Sequence, residues 1–200
     1  MRAQKIKVFP IVGCCGLDCG LCPRFYTEGK SRCNGCGSEY SYAAVGCKIF
    51  KCCFKEKNFE TCAECNDLPC SRYKGAGEEY DSFLTHKEMQ QNLNLIREKD
   101  IKEHVHRLNR RMELLREMLE GFNDGKSRSH YCIAATLLPI VDLEASLAKA
   151  KERINADEIE LDNLKAKSKI LKSFLNIIAV EKGIDLKLRK KSKFIKSKTV

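Results

Sequence analysis

Long apolar runs are missing from this 200-residue sequence: no segment approaches the 18 or more apolar residues that a membrane-spanning helix needs. The basic first residues, MRAQKIKVFPIVG, contain no apolar run of signal-peptide length. Glycine-rich phosphate loops, nucleophile-elbow serines and paired-carboxylate motifs are absent as well. These absences predict a cytoplasmic protein without a transmembrane segment, and no enzyme class is indicated.

Cysteine, by contrast, is abundant and unevenly distributed. Of the 13 cysteines, all but Cys132 lie between Cys14 and Cys70. In a compartment that keeps thiols reduced, such a density favours metal binding over disulfide bonding. The surrounding residues provide little apolar material, so ligated metal is expected to supply much of the folding free energy of this segment.

The spacing of the cysteines predicts two four-sulfur zinc sites. Two C-x2-C pairs separated by ten residues are typical of a zinc ribbon, in which each pair wraps a tight turn around one metal ion. Gly35 and Gly37 are suited to that turn. The first site would use Cys19, Cys22, Cys33 and Cys36; the second would use Cys47, Cys52, Cys62 and Cys65, with Cys70 able to replace one of them.

The motifs CGLDCGLCP, CNGC, Cys47-Lys-Ile-x2-Cys52 and CAECNDLPC together resemble the bacterial and archaeal family known as domain of unknown function 3795. The resemblance covers roughly residues 14–73 and implies a metal-binding role without an established activity. It also implies the set of functional cysteines: Cys15, Cys19, Cys22, Cys33, Cys36, Cys47, Cys52, Cys62, Cys65 and Cys70. Cys14 and Cys53 lie outside the family pattern and, like Cys132, are predicted to be small buried apolar residues.

Ten thiols are two more than a pair of tetrathiolate sites requires, so an iron–sulfur alternative stays open. Cys15-x3-Cys19-x2-Cys22 has the spacing that radical S-adenosylmethionine enzymes use for a [4Fe–4S] cluster, but the repeated βα units of those enzymes do not follow it. A [4Fe–4S] cluster serving electron transfer, with Cys15 or Cys70 as a ligand, is the alternative to zinc.

The remainder of the chain shows helical periodicity. Capping-box pairs at Thr85 and Asp100 precede apolar residues at 4,3 spacing, and Pro139 should break a buried segment. From Leu143 to Ile178 apolar residues recur at the same spacing and form a seam along one helix face. This seam predicts either one helix of about 40 residues or two helices that meet near Asp157. The predicted architecture is therefore a zinc-ribbon-like module with a few short strands (1–75), a linker (76–84), an all-helical hairpin or small bundle (85–182) and a disordered basic tail (183–200).

Two features of the C-terminal part of the chain bear on its binding partner. The basic tail favours weak binding of nucleic acid by counterion release, and the long C-terminal seam offers a possible homodimer interface. His104 and His106 flank a seam residue and are interpreted as solvent-exposed. We therefore expect a zinc protein that binds or scaffolds a protein or nucleic-acid partner, the latter through Lys187, Arg189, Lys190, Lys191, Lys193, Lys196 and Lys198.

Overall fold

A computed structural model describes residues 6–41, 46–74, 80–160 and 162–190 of the chain. Its helices are α1 (Lys48–Phe50), which continues directly into a π-helical turn (Lys51–Glu56), then α2 (Met89–Glu98), α3 (Ile101–Phe122), α4 (Arg128–Leu137), α5 (Ile140–Ala156) and α6 (Leu164–Glu181). None of these helices is long and apolar enough to cross a bilayer.

The prediction of a zinc-ribbon-like module with a few short strands is wrong. Within the described ranges no residue lies in a β-strand, and the cysteine-rich segment is built from short 3₁₀ turns, irregular loops and the helix 48–56. C-x2-C spacing requires only a tight turn, and the 3₁₀ turn Cys19–Leu21 provides one between Cys19 and Cys22 without flanking strands.

The helical half follows the predicted pattern in most places. Asp100 is the N-cap of α3, with its side chain accepting a hydrogen bond from the Lys102 amide, and Pro139 separates α4 from α5. The helix predicted from Thr85 begins four residues later, at Met89, without a side-chain cap.

The long C-terminal seam is split between two helices. Asp157, predicted to cap the second helix, instead ends α5, and Asn163 caps α6 through the Ala166 amide. The helices α5 and α6 pack against each other, so seam residues such as Leu147, Leu171 and Leu175 are buried inside the chain rather than offered to a second copy.

One buried core joins the cysteine-rich segment to the helices. Val12 and Leu21 belong to the same apolar cluster as Leu93 of α2 and Leu115 of α3. Gly16 permits the close approach: its φ is +85°, and a Cβ there would lie 2.3 Å from the backbone oxygen of Met89 at the start of α2. The thiols are thus supported by α2 and α3 from behind.

The basic tail does not begin at residue 183, because the chain still packs on the core as far as Arg189. Leu186 is buried, and Arg189 donates from its backbone amide and its guanidinium to the enclosed carboxylate of Asp81. Lys187 and Lys190 are exposed, but Arg189 is engaged in this ion pair and is a poor candidate for a nucleic-acid contact. The other predicted contacts, Lys191, Lys193, Lys196 and Lys198, lie outside the described residues.

We expect Arg189→Ala to lower the free energy of unfolding by about 2 to 3 kcal/mol, because it leaves the buried Asp81 carboxylate without its cation. Burial alone would raise the pKa of Asp81, yet the hydrogen bonds from Arg189 hold it at about 2, so this carboxylate is ionised at neutral pH. Urea unfolding at pH 7 measures the loss. Arg110→Ala, which breaks an exposed pair with Glu144, is the control and should cost less than about 1 kcal/mol; equal losses would contradict the prediction.

Candidate metal centre

Five cysteine side chains line one cavity of about 310 Å³ beside the helix 48–56. We call this cavity the thiol pocket; its cysteines are Cys52, Cys53, Cys62, Cys65 and Cys70. Four of the five belong to the predicted ligand set, and the fifth, Cys53, was predicted to be merely a buried apolar residue. The structure therefore brings together thiols that are up to 18 positions apart in the sequence.

Local backbone features fix the orientation of these thiols. Cys52 and Cys53 both lie in the π-helical turn Lys51–Glu56, whose wider winding changes the angle between successive side chains, and such turns are frequent at functional sites. Cys62 opens a 3₁₀ turn whose start is held by Glu64, whose carboxylate accepts a hydrogen bond from the Thr61 amide at 2.9 Å.

Helix α2 also stabilises the 3₁₀ turn Cys62–Glu64. The Arg97 guanidinium donates to the backbone oxygens of Ala63 and Cys65 at 3.1 and 3.0 Å. Because both bonds end on the main chain between Cys62 and Cys65, they fix the position of that thiol pair relative to the helical core.

Two cations lie at the mouth of the thiol pocket. The Lys57 ammonium donates to Cys65 Sγ at 3.1 Å and to Asp67 at 2.8 Å. The guanidinium of Arg72 binds Glu56 and also interacts with the Cys52 thiol. Hydrogen bonds from cations stabilise thiolates, the form of cysteine that binds metal.

A second group of thiols comes from the first cysteines of the chain: Cys15 and Cys22 pack against the core that includes α2 and α3, and Cys19 and Cys36 pack beside Phe50 and Phe54. We call it the inner thiol group, formed by Cys15, Cys19, Cys22, Cys33 and Cys36; each of the other four thiols interacts electrostatically with Cys19. Burial raises the pKa of Cys15 to about 12 and also raises the pKa values of Cys19 and Cys22. Metal ligation here would release protons and would become tighter as pH rises.

Cys47, predicted for the second site, neighbours Cys15 and accepts a hydrogen bond from the Phe50 amide.

A chain of buried thiols connects the inner group with the thiol pocket. Cys14 Sγ lies 3.9 Å from Cys36 Sγ and also interacts with Cys53, which in turn neighbours Cys62. Hydrogen bonds from the Cys36 and Cys53 thiols lower the pKa of Cys14, so it is the preferred thiolate of this chain. Cys14 and Cys53 are buried as predicted, but they are not isolated apolar residues; of the three cysteines so interpreted, only Cys132 lies in the helical core, on α4.

A buried polar cluster that the sequence did not reveal supports the inner group. His104 is buried, contrary to prediction, and its Nε2 lies 2.8 Å from Asp18 Oδ1, next to Cys19. Asn92 donates to the other Asp18 oxygen at 3.1 Å and to the Gly16 carbonyl at 2.9 Å. One feature of the sequence does indicate that His104 is buried: it lies four residues before the seam residue Leu108 and therefore on the apolar face of α3. His106 is exposed, as predicted.

In the side chains that the structure describes, no three Cys, His, Asp or Glu residues converge closely enough to hold a single metal ion. No family model, curated protein or solved structure matches the chain. Its function must therefore be argued from the thiols and the groups around them.

Proposed function

We propose that the protein carries an iron–sulfur cluster in the thiol pocket and serves in one-electron transfer. The observation that carries this proposal is a cavity lined by five cysteines, of which no three described thiols meet closely enough to hold a single ion. Iron–sulfur clusters are held by four cysteine thiolates, and the pocket supplies more than four.

The size of the cavity suits a polynuclear cluster better than a single ion. The cavity offers about 310 Å³ of space, more than a single ion held at about 2.3 Å from its sulfurs would occupy. The cluster would be held by Cys52, Cys62, Cys65 and Cys70. Cys53 is the surplus thiol, because it donates to the Phe59 carbonyl and neighbours Cys62, so it acts beside a ligand rather than as one.

A bound cluster supplies reversible uptake of one electron, and the protein governs how easily that happens. Lys57 donates a hydrogen bond to Cys65 Sγ and Arg72 interacts with Cys52, and donors to the ligand sulfurs favour the more negative, reduced state. Leu68 and Tyr73 line the pocket as buried side chains and limit the access of water. Hydrogen bonds, charge and exclusion of solvent are the means by which proteins set cluster potentials.

Metal analysis tests the proposal directly. We expect anaerobically purified protein to be brown and to contain about four irons and matching acid-labile sulfide per cluster. A colourless protein that contains zinc and no labile sulfide would refute the iron–sulfur assignment.

A zinc-stabilised scaffold is the second candidate, favoured by one distance. The 3.9 Å between Cys14 Sγ and Cys36 Sγ is close to the edge of about 3.8 Å expected for a tetrahedral zinc–thiolate site. In that case about two zinc ions per chain would hold the cysteine-rich segment together for binding a partner. The same analysis separates the two candidates, because only the cluster contains labile sulfide.

A further inference from the structure

The helix that supplies two pocket cysteines also presents three exposed lysines. Lys48, Lys51 and Lys55 recur at i, i+3 and i+7, which places them on one side of the helix. Phe50 and Phe54 turn inward and are buried against Cys14, Cys36 and Cys53. The exposed Lys55 borders them, with its ammonium 5.6 and 5.9 Å from the two ring centroids, and it keeps its charge there. We call the exposed side the lysine face.

The lysine face and the thiol pocket share the helix 48–56. The helix contributes Ile49, Cys52 and Cys53 to the pocket wall, and Cys52 directly follows Lys51 and is only partly buried. A molecule that contacts the lysine face therefore lies within about one helix diameter, roughly 10 Å, of the pocket.

The charge of this face is not neutralised within the described residues. No ion pair there involves its three lysines, and the nearby carboxylates are already engaged: Glu56 binds Arg72, and Asp67 binds Lys57. Glu60 accepts from the amides of Val8 and Phe9, and Glu64 accepts from the Thr61 amide. The positive charge is therefore available to a molecule from outside.

We propose that the lysine face docks an acidic partner protein that exchanges single electrons with the thiol pocket. This inference rests on the proposed function. One electron passes between the one-electron carrier of the partner and the cluster, and no bond is formed or broken. Complementary charge accelerates such encounters and orients them, and electron-transfer complexes are typically small and short-lived.

An acidic protein suits this face better than nucleic acid does. From Lys48 to Lys55 the face extends only about 10 Å along the helix axis, a short track for a phosphate backbone. The phenylalanines of the helix are buried and cannot stack with bases. The face also contains no arginine, the residue that binds phosphate in a bidentate manner.

Two triple variants with the same change in charge test the proposal on the holoprotein. K48E/K51E/K55E reverses the lysine face, and K149E/K165E/K169E reverses three exposed lysines on α5 and α6. At low salt, we expect the first variant to bind a fluorescent poly-L-glutamate peptide about tenfold more weakly than the wild type. The control should change by less than about twofold beyond the general effect of net charge.

Small redox reagents provide a second readout. Oxidation of the reduced protein by anionic ferricyanide should slow in the lysine-face variant and oxidation by cationic hexaammineruthenium(III) should accelerate, with both effects shrinking as salt is added. Equal responses of the two triple variants would overturn the proposal. So would a greater loss of binding to a single-stranded DNA oligomer than to polyglutamate, which would assign the face to nucleic acid.

The two proposals can fail separately. Protein without iron and labile sulfide would overturn the proposed function and the redox role of the face. Polyglutamate binding would still decide whether the lysine face docks acidic proteins, because that readout does not require a cluster.

Discussion

Cys65→Ala is expected to remove one complete cluster, about four irons per chain together with the matching labile sulfide. Cys65 provides a pocket thiol and receives the hydrogen bond from Lys57, so alanine deletes a ligand and leaves that ammonium without its sulfur partner. Since metal ligation contributes to the folding free energy of the segment that carries the ligands, residues 46–74 should lose protection from amide exchange, whereas α3 to α6 should keep theirs.

Iron, sulfide and hydrogen-exchange measurements on anaerobically purified protein test this result. Cys132→Ala is the matched control, because Cys132 is a buried cysteine of α4 that does not line the thiol pocket. It should retain iron and the brown colour. If Cys65→Ala kept its full iron and sulfide content, the pocket would not be the cluster site, and the inner thiol group would be the alternative.

The helical part of the fold was predictable because its determinants are local. Asp100 begins α3 through its own side chain, and Pro139 cannot continue the helical hydrogen bonding of α4. The spacing of its apolar residues predicted which face of α3 is buried. It did not fix the position of the α5–α6 break, where Asp157 and Asn163 both have the chemistry of a helix cap and the tertiary packing decides their roles.

The thiol site was predictable in its residue types and not in its geometry. Spacing singled out four of the five cysteines that line the pocket. A C-x2-C pair specifies a turn, however, and says nothing of the elements on either side, which is why the prediction of strands was wrong. The spacing of the cysteines also gave no reason to connect Cys14 with Cys53. These two residues meet only because the helix 48–56 folds back over the first cysteines. The pairs Asp18–His104 and Asp81–Arg189 join residues 86 and 108 positions apart, and no local pattern encodes them.

His104→Ala should be among the most destabilising substitutions in the helical half, at a cost of about 3 kcal/mol. The Asp18 carboxylate is buried, and His104 is one of its two side-chain hydrogen-bond partners, so alanine removes a buried hydrogen bond to that carboxylate and opens a cavity. Denaturant unfolding of the metal-loaded protein measures the loss. His106→Ala, on the exposed side of the same helix, should change the stability by less than about 0.5 kcal/mol.

A double-mutant cycle separates the lost hydrogen bond from the lost volume. If His104 acts mainly by satisfying Asp18, then Asp18→Asn combined with His104→Ala should cost less than the sum of the two single changes by about 1 to 3 kcal/mol. Additive costs would mean that His104 only fills space between α3 and the loop. Because Asp18 directly precedes Cys19, the cycle also tests whether the helices position the inner thiols: in His104→Ala the Gly20 amide, which donates to the Ile11 carbonyl, should exchange faster than in His106→Ala.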